Sequence, residues 1–133
     1  MSTEKEFVPY EEALALKELG FNEPCFGCFN HLDKSEIWTN RTYMNGLTEN
    51  ITAPTFSQAF RWFREKYNLD CSVMLHVVRY GITKGIYFEK RSYKYQIRRS
   101  FKNPFWIEFD SFKTYEEAEL ACLRKLIETK KEK

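Results

Sequence analysis

Three stretches of the chain carry apolar residues at helical spacing, and three or four carry them at strand spacing. Pro9 to Gly20 has proline at a first-turn position, Glu11 and Glu12 where the helix dipole favours carboxylates, and glycine at its far end, so it predicts a short helix. Thr55-Phe56-Ser57-Gln58 reads as a capping box, and Phe56, Ala59, Phe60, Phe63 and Tyr67 then recur at steps of three and four. That predicts a helix over 55–67 with an aromatic stripe, closed by Asn68. Thr114-Tyr115-Glu116-Glu117 is a second capping box, ahead of a helix over 118–129 whose Ala118, Leu120, Cys122, Leu123, Leu126 and Ile127 share one broad face. Glu119 falls within that face. It reads either as a carboxylate held by the dipole near the rim of a sheet or as a buried functional acid.

Between the second and third helices the period changes to two. Cys71 to Tyr80 sets Val73, Leu75 and Val77 on one face and Met74, His76 and Val78 on the other. Gly81 to Gly85 predicts a turn, and Ile86 to Phe88 and Tyr93 to Arg99 predict extended chain, the latter with Tyr93, Tyr95 and Ile97 inward and Lys94, Gln96 and Arg98 outward. Phe101-Lys102-Asn103-Pro104 predicts a turn, after which Phe105, Ile107 and Phe109 alternate with Trp106 and Glu108. Residues 21–53 are irregular: 23–29 reads as extended, 36–39 as a short strand and Asn45-Gly46 as a turn. Consecutive strands with short links imply antiparallel pairing. The expected fold is therefore α+β, an antiparallel sheet of three to four strands with two main helices packed on one face, plus an N-terminal helix and irregular segment. One domain spans 1–133: an extension over 1–53, an α-β-β-β-α core over 54–129, and a charged tail over 130–133.

Composition narrows the class. The chain has 133 residues, 17% of them aromatic, with only five Gly and four Pro, which argues against disorder. A folded monomer of this mass exposes roughly 7,400 Å². No run of ~20 apolar residues occurs, so no membrane helix is expected. Met1 to Glu6 lacks a basic start followed by an apolar stretch, so no secretory signal is read and the expected location is the cytoplasm.

The 21 Lys and Arg against 19 Asp and Glu give a net charge of +2, too small to imply a polyanionic partner, but the distribution is uneven. Over 79–102, Arg79, Lys84, Lys90, Arg91, Lys94, Arg98, Arg99 and Lys102 stand against Glu89 alone, while the rest of the chain is mildly acidic.

Three segments carry a resemblance: Tyr10-Glu11-Glu12-Ala13-Leu14 through Gly20-Phe21-Asn22-Glu23-Pro24-Cys25-Phe26, then Pro54-Thr55-Phe56-Ser57-Gln58-Ala59-Phe60-Arg61-Trp62-Phe63-Arg64-Glu65-Lys66-Tyr67, and Thr114-Tyr115-Glu116-Glu117-Ala118-Glu119-Leu120-Ala121-Cys122-Leu123-Arg124-Lys125-Leu126-Ile127-Glu128. They resemble a group of small uncharacterised proteins encoded by phages and prophages of Bacteroidetes bacteria. The resemblance implies a setting, a phage accessory protein in the bacterial host cytoplasm, and carries over no catalytic residues. The basic stretch and Cys28 are not among the features that carry it.

Candidate chemistry is sparse. Cys25-Phe26-Gly27-Cys28 has the spacing of a metal pincer or a redox pair, with His31 as the nearest further ligand, but no second C-x-x-C completes a zinc site. Cys71 and Cys122 are expected to pack as small hydrophobes. No G-x-S-x-G, P-loop, G-x-G-x-x-G or H-E-x-x-H is present, and His31 and His76 are the only histidines, so an enzyme is the lesser reading and no cofactor is expected. The order of helix, strands and helix also suggests a double-stranded-RNA-binding domain, but Glu116, Glu117 and Glu119 would repel phosphates at the start of its last helix. The favoured reading is a binding module that engages a protein partner or sequesters a small ligand, with a homodimer as one form. The first alternative is nucleic-acid binding through a basic sheet face carrying Arg79, Lys90, Arg91, Lys94, Gln96, Arg98, Arg99 and Trp106. The second is a thiol metal or redox site at Cys25 and Cys28.

Overall fold

The computed structural model describes residues 6–29, 36–39, 51–99 and 106–131, with the backbone alone at residues 82, 99 and 106–111. Among these, α1 (Tyr10–Glu18) leads to β1 (Gly27–Phe29), β2 (Ile37–Trp38) and β3 (Thr52–Ala53). Then come α2 (Phe56–Tyr67), β4 (Leu69–Thr83), β5 (Ile86–Arg99), β6 (Trp106–Phe112) and α3 (Tyr115–Lys131). The fold is α+β, as the alternating periods predict. The predicted turns at Asn45-Gly46 and at 101–104, and His31, lie outside the described residues.

The local signals in the helices work as their chemistry requires. At the end of α1, Phe21 N–H donates to Leu16 O at 2.9 Å and Gly20 N–H to Lys17 O at 3.0 Å, with Gly20 at φ 101°. This is a Schellman close, and its hydrophobic partners Leu16 and Phe21 are both buried. Thr55 caps α2 by accepting from Gln58 N–H at 3.2 Å. The reciprocal half of that capping box does not form. Gln58 Nε2 instead donates to Pro24 O at 2.6 Å, pinning the chain that enters β1. At α3, Thr114 accepts from Glu117 N–H at 3.1 Å, and Glu117 reaches back to Lys113 N–H. The segment expected as a tail begins inside this helix, which runs through Lys131; Lys130 Nζ lies 4.5 Å from the Tyr67 ring centroid.

The larger sheet has the order β4-β5-β6, antiparallel throughout. Core-facing Leu69, Tyr95 and Ile97 meet Phe63 of α2 and Cys122, Leu123 and Leu126 of α3 in one buried cluster. Tyr95 and Ile97 are buried and Arg98 is exposed, so the predicted alternation along β5 holds. A second sheet, β2-β1-β3, occupies the segment expected to be irregular. Its strands are held to close quarters by Gly27: a Cβ there would lie 2.8 Å from Ile37 Cγ2 and 2.9 Å from Phe7 Cε1. Phe21, Cys25, Phe29 and Ala53 join the helix-side core, so the N-terminal segment thickens the covered side of the molecule. Trp62, off the predicted stripe, is buried because Phe21 meets it edge-on at 5.3 Å.

Cys71 and Cys122 correct the expectation of two packed thiols. They are joined as a disulfide across 51 residues of sequence, tying β4 to α3. The physical reason is placement: Cys71 lies on the core-facing side of β4, under the α3 face that carries Cys122. No helix among the described residues is long and apolar enough to cross a membrane.

Candidate functional site

The feature that sets this molecule apart is the length of its central hairpin. β6 pairs with β5 only from Arg98, opposite Trp106, to Tyr93, opposite Phe112. Beyond Tyr93, β5 has β4 as its sole described neighbour, so His76–Thr83 and Ile86–Ser92 form a two-stranded ribbon about 25 Å long at ~3.3 Å per residue. The sequence predicts separate short strands around a turn at 81–85. Instead β4 runs on to Thr83, Gly81 (φ 67°) sits in a bulge between Tyr80 and Thr83, and the turn is Lys84-Gly85 alone. Both turn residues have positive φ, 52° and 79°, the pattern whose twist matches a two-residue hairpin.

Backbone register divides the ribbon into two faces. On the side continuous with the core lie Leu75/Tyr93, Val77/Arg91 and Arg79/Glu89. Glu89 accepts from Arg79 Nε at 3.3 Å and from Arg91 Nη2 at 3.3 Å, and Arg79 also stands 5.0 Å over the Tyr87 ring. On the open side the rungs are Asp70/Arg98, Ser72/Gln96, Met74/Lys94, His76/Ser92, Val78/Lys90 and Tyr80/Phe88. None of these twelve residues is buried.

The single basic face expected from sequence is therefore two. Arg79 and Arg91 belong to the core-continuing side and share one carboxylate. Lys90, Lys94, Gln96 and Arg98 lie together on the open side, with Asp70 across from Arg98. Trp106 pairs with Arg98 and Arg99 with Leu69 in the backbone ladder; their side chains lie outside the described set.

Charge is not the whole signal, and the apolar part was missed. Ten large hydrophobics are strongly exposed among the described residues, and seven fall on this hairpin: Leu75, Val77, Val78, Tyr80, Ile86, Tyr87 and Phe88. Tyr80 and Phe88 are 53% and 63% exposed and stack across the strands at 5.8 Å and 27°. The hairpin's far end adds surface without adding core. Single exposed apolar residues mean little, but a contiguous set on a projecting element marks a contact surface.

Other candidate chemistry is more modest. Cys25 and Cys28 are buried free cysteines, and burial pushes the Cys25 thiol up to about 11, away from the thiolate that metal binding and redox exchange need. Among the described residues no cluster of three or more His, Cys, Asp or Glu could hold a metal ion. Glu119 is half-buried and its carboxyl is pushed up to about 7 by burial and then by Glu116, so desolvation outweighs the helix dipole there. Between α1 and α3 an open groove of about 490 Å³ is lined by Glu11, Glu12, Arg124, Glu128 and Lys131 with two apolar residues. Glu12 is buried there, 3.6 Å from Arg124, and burial raises its pKa despite that partner. The groove's opposite charges largely answer one another.

Comparison with family models, with curated proteins and with solved structures finds no match to this chain.

Proposed function

We propose that this protein is a binding module whose contact element is the β4–β5 ribbon. The observation that carries the reading is the concentration of exposed Tyr80, Ile86, Tyr87 and Phe88 at the far end of a hairpin that the third strand does not reach. A chain able to bury Leu69, Ile97 and Leu123 completely has no packing use for those four outside the core. The ribbon's lysines and arginines keep its open edges from pairing with other strands, which suits an element that must remain exposed until its partner arrives. The groove between α1 and α3 is the weaker candidate, since Arg124 already occupies the buried carboxylate of Glu12.

The test places a photoreactive phenylalanine analogue at Phe88 or, in a second variant, at Phe26, which is 70% exposed on the body of the protein. Irradiation of cells expressing each variant should give macromolecular adducts at position 88 and few at 26. Equal yields at the two positions, or adducts at 26 alone, would refute the reading.

A further inference from the structure

We infer that the open face of the ribbon is a stacking platform for single-stranded nucleic acid, a deduction that rests on the ribbon being the contact element. Three observations point to that occupant. The first is charge. From His76 to Ser92 the chain carries Arg79, Lys84, Lys90 and Arg91 against Glu89, a net +3, whereas the whole protein is only +2. The rest of the molecule is thus slightly acidic, and the ribbon is the part that attracts a polyanion. Two like-charged ribbons repel, which disfavours ribbon-on-ribbon pairing of two copies.

The second observation is the shape of the apolar surface. Tyr80 and Phe88 lie near-parallel, 5.8 Å apart, on one exposed face. A stacked pair this exposed leaves outer ring surface open to unstacked bases, and every base has a π-face, so stacking of this kind is tolerant of sequence. In a duplex those base faces are already taken by neighbouring pairs, and a flat aromatic pair has little to contact.

The third is the arrangement of cations behind the rings. Lys90 stands on the next rung of the same face, opposite Val78, and Lys94 and Arg98 follow at every second rung, about 13 Å apart at ~3.3 Å per residue, with Asp70 the one acid among these rungs, across from Arg98. Lys84 sits in the turn just past the rings. A strand lying along the face would put bases on Tyr80 and Phe88 and run its phosphates down the lysine side. Arg79 and Arg91, engaged with Glu89 on the opposite side, are not needed for this path.

The experiment is fluorescence anisotropy of the full-length protein with a labelled 20-nucleotide oligo(dT) and with a 20-base-pair duplex. The single strand should bind at least tenfold more tightly than the duplex. Tyr80→Ala and Phe88→Ala should each weaken it about tenfold or more without lowering the melting temperature. Lys90→Gln should weaken it less and reduce the slope of log K against log salt by about 0.7. Duplex binding equal to or tighter than single-strand binding overturns the inference, as does single-strand affinity untouched by the two ring substitutions. Binding of neither probe also overturns it; protease-sensitive adducts at position 88 in the cross-linking experiment would then leave the ribbon as the contact element with a protein on it.

Discussion

Opening the Cys71–Cys122 bond isolates what one covalent tie between sheet and helix contributes to this fold. The two cysteines are 51 residues apart, and closing a loop of that length lowers the entropy of the unfolded chain by an amount worth about 4 kcal/mol at room temperature. Domains of this size have net stabilities of about 5–15 kcal/mol, so the tie is a substantial share. The assay is urea unfolding followed by circular dichroism, with and without reductant, on the wild type and on Cys71→Ser/Cys122→Ser. Reduction should lower the wild-type midpoint by roughly 2 M, given a denaturant slope of about 1–3 kcal/mol/M, and should leave the double variant unmoved. Thiol titration of the denatured, non-reduced protein should count Cys25 and Cys28 only. A midpoint indifferent to reductant, together with four reactive thiols, would refute the tie and restore Cys71 and Cys122 as ordinary packed side chains.

Other consequences can be checked on the same material. Gly27→Ala forces a methyl to within 3 Å of Ile37 and Phe7, and should cost about 1–3 kcal/mol by urea unfolding; an unchanged midpoint would mean that the small sheet is looser than described. Leu126→Ala, in the closed core, should cost about 2–5 kcal/mol, whereas Phe88→Ser should change the melting temperature by no more than about 2 °C because its ring is 63% exposed. The Glu119 carboxyl lies at about 7 in the fold against 4.5 when free, so the folded state holds its proton more tightly. Stability is therefore fullest below the free value and declines as pH rises from 4.5 to 7, then levels off. Glu119→Gln should remove that decline and be the more stable protein at pH 8, by about 1 kcal/mol once solvent screening of a half-exposed group is allowed for. Equal slopes for the two proteins would contradict the desolvation argument.

What could be read from the sequence follows the range of the physical signal. The inward placement of Tyr95 and Ile97, the face of α3 through Leu123 and Leu126, and the caps at Thr55 and Thr114 depend on residues a few positions apart, and local spacing reports them. Trp62 was not legible because its partner is Phe21, some forty residues upstream. The sheet of β1, β2 and β3 was not legible as a sheet, since strands of two and three residues have no period and pairing alone defines them. The disulfide is equally non-local. The ribbon shows the limit most clearly. Val77 continues the alternation of Val73 on the core-facing side of β4, and only the end of β6, where Phe112 meets Tyr93, marks where that face stops being packed, with Val73 against the core and Val77 exposed. The basic cluster was visible along the chain, but its division into an open face and a Glu89-bound face needed the register of β4 against β5.

Hydrogen–deuterium exchange of the free protein tests the projecting ribbon most directly, because every functional reading above depends on it. Isolated two-stranded hairpins are marginally stable in water. Amides of residues 77–91 should therefore exchange much faster than those of 93–98, which the third strand flanks. Uniform slow exchange along the whole hairpin would mean that the far end is packed against something, and the account of an exposed contact arm would be wrong.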